Sequence, residues 1–103
     1  GTVVLHGAMV NAGARIGKGC IINTLANIEH DAVIGDYCHI STGAMVNGDC
    51  KVGANTFLGS QSVMVNATSI PANSVFAAGC MIRKTQKQEG IYAGNPAVLM
   101  VKK

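Results

Sequence analysis

Few side chains in this sequence can move a proton near neutral pH: three histidines, His6, His30 and His39, alongside five carboxylates. One histidine is followed at once by a carboxylate, His30–Asp31, at the end of the stretch Asn23–Asp31, which reads NTLANIEHD. A free imidazole titrates at about 6.5, so it can take a proton from an incoming amine or hydroxyl. A carboxylate on one ring nitrogen fixes the tautomer and leaves the other nitrogen to act as base. The same dipeptide also reads as an exposed histidine beside an aspartate bonded to its own backbone. What separates the two readings is the scaffold that has to hold the pair.

That scaffold is a six-residue period. From Val4, every sixth residue is apolar: Val10, Ile16, Ile22, Ile28, Ile34, Ile40, Val46, Val52, Leu58, Met64, Ile70, Phe76 and Ile82. Four residues after each lies a small side chain, from Ala8, Ala14, Cys20 and Ala26 through to Ser74 and Cys80, until Gln86 breaks the rule. Small and apolar positions two apart share one face of a short strand, and the three residues that follow turn a corner. A helix cannot keep such a spacing on one side. A second period of eighteen places Gly17, Gly35, Gly53 and Pro71 in one corner slot, where a tight turn is expected. The prediction is an all-β parallel β-helix with three strands per coil and between four and five coils. It occupies residues 1–86, with 87–103 as a C-terminal tail folding back as a strand or short helix after Pro96.

The register predicts three outward columns. Two are mostly apolar: Val3, Ile21, His39, Phe57, Val75, and Met9, Asn27, Met45, Val63, Met81. The third, Arg15, Val33, Lys51, Ser69, is mostly polar. Two adjoining apolar faces suit a ring in which one face meets the other face of the next copy, and a trimer is expected. All four cysteines, Cys20, Cys38, Cys50 and Cys80, fall in the small inward slot, which reads as buried free thiols and fits a reducing cytoplasm. A disulfide framework, a zinc site or a thiol nucleophile needs another placement. The net charge of +3 is modest, and five of the eight basic residues (Arg83, Lys84, Lys87, Lys102, Lys103) lie near the end. They read as a solvated tail or as a patch for ligand phosphates. Without a basic stripe, and with aromatics at 4%, nucleic acid is not an expected partner. No apolar run is long enough to span a membrane.

The repeat resembles the hexapeptide transferases, the left-handed β-helix acyltransferases, and the left hand is implied by that resemblance. Within that superfamily Asn23–Asp31, followed by VIGDYCHIS at Val33–Ser41 and by Gly94–Ala97 (GNPA), is similar to sugar acetyltransferases. These include the sialic acid O-acetyltransferases and the UDP-amino-sugar N-acetyltransferases. Members commonly carry an N-terminal α/β domain that helps bind the nucleotide sugar. Here the first coil begins at Val3, and the first residue is Gly1, so the sequence reads as a fragment or as a solenoid with a different acceptor.

The resemblance implies an acetyl-CoA-dependent acetyltransferase acting on a sugar or sugar-nucleotide amine or hydroxyl. The catalytic residues would be His30 and Asp31, with acetyl-CoA bound by His39, Gly48, Ser60 and Ala78 and no metal. Asn23 is expected to orient the acceptor or the histidine. Gly48 lies eighteen residues after His30, so it should stack on it, leave room for the thioester and offer an N–H to an oxyanion. The small corner column Thr24, Thr42, Ser60, Ala78 would pass the pantetheine arm. With buried cysteines and no Ser-His-Asp order, direct transfer is expected rather than an acyl-enzyme. Two other readings stand beside it. One is a non-catalytic or truncated trimeric binding module. The other is a metalloenzyme like the γ-carbonic anhydrases, although His6, His30 and His39 occupy three different slots of the coil.

Overall fold

The computed structural model describes residues 1–103. It contains no helix; fourteen two-residue strands begin every six residues from Val3 to Met81. They stack as the three faces of a prism. Face A holds β1 (Val3–Val4), β4 (Ile21–Ile22), β7 (His39–Ile40), β10 (Phe57–Leu58) and β13 (Val75–Phe76). Face B holds β2 (Met9–Val10), β5 (Asn27–Ile28), β8 (Met45–Val46), β11 (Val63–Met64) and β14 (Met81–Ile82). Face C holds β3 (Arg15–Ile16), β6 (Val33–Ile34), β9 (Lys51–Val52) and β12 (Ser69–Ile70). Partners in each sheet are parallel, as in Val3↔Ile21, Met9↔Asn27 and Arg15↔Val33, so each coil takes eighteen residues. The architecture is a parallel β-solenoid of about five coils.

The strands are too short to be held by propensity, and stacking holds them instead. The apolar column from Ile22 to Ile82 fills the prism, and the small residues from Cys20 to Cys80 are buried beside it. At the first coil the inward residues Val4 and Val10 remain 50% and 42% exposed, because a terminal coil is covered on one side only. At the other end Tyr92 is buried and its ring stacks on Phe76, centroids 4.5 Å apart. Tyr92 belongs to β15 (Gly90–Ala93), which adds a parallel rung to face A beside β13. β16 (Val98–Lys102) then returns antiparallel along its outer edge, so the segment after Pro96 is a strand. The Gly94–Ala97 turn between them is tied to β14: Met81 N donates to Gly94 O, and Ala97 N to Met81 O.

The corners use two different devices, and the sequence suggested only one. The third residue of every corner from Gly7 to Gly79 has φ between 55° and 76°. Glycine fills five of these positions, while Asp31, Asp49, Asn55 and Asn73 fill others, as suits residues that tolerate the left-handed region. Gly17, Gly35 and Gly53, expected to serve the tight turn, have no positive φ. They allow coils to approach: a Cβ on Gly53 would lie 2.3 Å from Ala72 N, and one on Gly35 2.7 Å from Ala54 N.

Candidate active site

Three consecutive residues, Glu29, His30 and Asp31, form the corner between faces B and C on the second coil. The His30 carbonyl is held by Asp49 N at 3.0 Å, and Asp31 N donates to Ala12 O at 3.1 Å, so the corner backbone is pinned from both neighbouring coils. The His30 side chain is 58% exposed, yet two neighbours aim it. Its Nδ1 lies 3.3 Å from Asp31 Oδ2. Its other edge rests on Gly48 in the next coil, where a Cβ would come within 2.3 Å of His30 Nε2 and 2.9 Å of Asn66 Oδ1. Asp31 itself leans over Gly13, whose Cβ would meet Asp31 Oδ1 at 2.2 Å. Each member of the pair therefore lies against a residue with no side chain.

Gly48 thus makes room for the imidazole, where the sequence suggested room for a thioester. Its φ lies outside the positive range, so turn conformation does not account for the glycine. The Gly48 N–H makes no hydrogen bond within the chain. Asp49 joins the cluster: ligating atoms of His30, Asp31 and Asp49 all lie within 4.8 Å of one another, and all three residues are exposed. The signal for Asp49 was in the register, eighteen residues after Asp31.

The remaining candidates lie elsewhere on the prism. Asn23, Ser60 and Ala78 occupy the corner between faces A and B, and His39 stands on face A beside it. Asn23 Nδ2 is 3.1 Å from His39 Nε2, and the His39 ring meets Phe57 edge-on at 5.1 Å. Ser60 Oγ bonds the nearly buried Ser41 Oγ at 2.9 Å. Face B separates this group from His30. On that face Asn27 Nδ2 donates to Glu29 Oε2 and contacts Met45 Sδ at 3.3 Å, while Asn27 Oδ1 is buried with no partner. Asn27 was not expected at the site; it shares the outward side with Glu29, two positions on, as strand alternation places it. His6, His30 and His39 sit on separate corners and faces. All four cysteines are free and buried, and burial pushes the Cys38 and Cys80 thiols up.

A three-faced parallel solenoid with a hexapeptide period, carrying an oriented His-Asp corner, defines the class of hexapeptide-repeat proteins. The chain belongs to the bacterial transferase hexapeptide family, whose six-repeat model matches residues 13–48 and again 31–66. Among solved structures it is similar to the acetyltransferase domain of PglB from Neisseria gonorrhoeae, at 30% identity and TM-score 0.94, over 96% of this chain and 48% of that one. PerB from Caulobacter crescentus, solved with CoA and GDP-perosamine, shares the fold at 23% identity and TM-score 0.84, covering 96% of this chain and 56% of that one. An O-acyltransferase of UDP-N-acetylglucosamine from Moraxella catarrhalis matches at 25% identity and TM-score 0.73, over 82% of this chain and 33% of the other. The chain therefore spans about half the length of the first two structures.

Proposed function

We propose that this solenoid is the acyl-transfer part of an acetyl-CoA-dependent acetyltransferase whose acceptor is an amine or hydroxyl of a sugar or sugar nucleotide. One observation carries the reading: the His30 imidazole is held between the Asp31 carboxylate and the bare backbone of Gly48. Asp31 accepts from Nδ1–H, so Nε2 is the basic nitrogen. It takes the acceptor's proton as the acceptor's lone pair attacks the thioester carbonyl. The oxyanion that forms is met by the Gly48 N–H, and collapse expels the CoA thiolate, which recovers a proton from His30.

The His30 corner and the His39–Asn23–Ser60–Ala78 group are separated by face B. A ring of three copies, with face A of one against face B of the next, would set both groups along one interface. The edge that carries His30 continues through Gly48 and Asn66 to Lys84, three rungs on at about 4.8 Å each. Arg83 and Lys84 would there meet the nucleotide phosphates of CoA. Four unpaired cysteines favour a reducing cytoplasm.

The test is release of CoA thiol from acetyl-CoA in the presence of a panel of amino and hydroxy sugars and their nucleotides. Acceptor-dependent release that disappears in His30→Ala supports the reading. Tight acetyl-CoA binding without release toward any acceptor would leave the solenoid as a binding module.

A further inference from the structure

The hydrogen bonds around Asn23 fix more than its own side chain. We infer that Asn23 is a positioning residue that locks His39 in the Nδ1–H tautomer, so that His39 presents one fixed N–H donor to a carbonyl oxygen of the acyl-CoA arm. The second half rests on the acyltransferase reading above; the first does not.

The amide orientation follows from its partners. Asn23 Oδ1 lies 2.7 Å from the backbone N of Thr24 and 3.2 Å from Thr24 Oγ1. A backbone N–H can only donate, so the atom facing it must be the amide oxygen. The amide nitrogen is then the atom 3.1 Å from His39 Nε2. An NH2 group can only donate to that nitrogen, so Nε2 is the bare, accepting one and the ring proton sits on Nδ1. The ring cannot turn over to exchange its nitrogens without losing this bond and its edge-on contact with Phe57. Asn23 is therefore committed on both ends, to Thr24 and to His39, and its work is done through the histidine.

His39 makes no other side-chain hydrogen bond within the chain. It is the polar member of an otherwise apolar column, between Ile21 and Phe57 on face A. A half-buried N–H at a fixed height on such a face selects a ligand with an acceptor oxygen there. The acyl-CoA arm offers such oxygens in its thioester and its two amides.

Nitrogen-15 NMR of histidine-labelled protein tests the tautomer directly, with the His39 signals assigned by their loss in His39→Leu. In the wild type at alkaline pH, Nδ1 is expected to be the protonated nitrogen. Asn23→Asp keeps the oxygen that accepts from Thr24 but replaces the donor to His39 with an acceptor, so the proton should move to Nε2. A wild-type His39 protonated on Nε2, or exchanging freely between forms, overturns the lock.

Acetyl-CoA affinity by calorimetry tests the second half. An asparagine at 39 places an amide N–H near the Nδ1 position and a glutamine near the Nε2 position. His39→Asn is expected to bind within about threefold of wild type, whereas His39→Gln and Asn23→Asp lose about tenfold. Equal losses in His39→Asn and His39→Gln overturn the donor assignment. Wild-type protein that does not bind acetyl-CoA overturns the ligand half and the acyltransferase reading, and the NMR result still decides the tautomer.

Discussion

An imidazole on an exposed corner is free to rotate unless something removes its alternatives, and here two glycines do so. Gly48 admits the His30 ring and Gly13 admits the Asp31 carboxylate, while Asn66 hangs over the same opening from the next coil. A side chain at 48 would displace the exposed ring and leave the backbone in place. Gly48→Ala is therefore expected to lower kcat for acetyl transfer by about tenfold to a hundredfold with little change in melting temperature, since the ring end can move aside. His30→Ala is expected to lower kcat by about 10²- to 10⁴-fold while acetyl-CoA still binds. If the alanine at 48 acts through the ring, it should have no further effect in the His30→Ala background. An additive double variant, measured as kcat on the best sugar acceptor, would separate Gly48 from the histidine. The type and spacing of these residues were readable in the sequence, because an eighteen-residue register puts His30 under Gly48. Which group fills the opening was not, since spacing says nothing about the direction in which a corner side chain leans.

At the level of the coil, the small inward slot does more than leave space. Its hydroxyls and thiols reach the corner carbonyl fifteen residues on: Cys20 to Gly35 O at 3.1 Å, Cys38 to Gly53 O at 3.1 Å, Thr56 to Pro71 O at 2.8 Å, and Ser62 to Ala77 O at 3.0 Å. Cysteine, serine and threonine exchange there because each is small and each donates to a carbonyl that the ladder leaves with a free lone pair. Thr56→Val keeps the shape and removes the donor, so unfolding is expected to become easier by about 1–2 kcal/mol. Thr56→Cys should lose less, as its thiol can take up the bond that Cys38 makes one coil below. Chemical denaturation of the two variants checks the order, and a valine as stable as the cysteine would reduce the slot to volume alone. The inward columns, the three faces and the strand boundaries were legible from period alone, because burial repeats with the coil. The carbonyl partner and the left-handed corner residue were hidden. Leu25, Tyr37, Gln61 and Ala67 all take positive φ, and none of those residue types announces it. Their conformation is imposed by the coils above and below.

For the molecule as a whole, burial sets its response to pH, and exposure marks the faces that the proposed ring would cover. Burial raises the Cys38 and Cys80 thiols above 9.0, while in the unfolded chain they ionise in the ordinary range. The folded state thus holds those protons after the unfolded state has released them. Their contribution to stability is complete below the unfolded value and is lost as pH rises through the folded one, so melting temperature should fall above about pH 9. The same thiols should resist alkylation at pH 8 until the chain is unfolded. The coils leave two apolar surfaces open. Ile21, Phe57, Val75 and Ile91 line face A exposed, and Met9, Met45, Val63 and Met81 line face B, whereas face C carries Arg15, Lys51 and Ser69. In the ring proposed above, each of these faces would meet the other on the next copy, and three prisms would complete it. Sedimentation equilibrium at micromolar concentration is expected to give three times the 10.6 kDa chain. Val75→Lys should shift that mass toward one chain, and Lys51→Glu on face C should leave it unchanged. A wild-type monomer would remove the ring, and with it the interface that joins the His30 corner of one copy to the His39 face of the next.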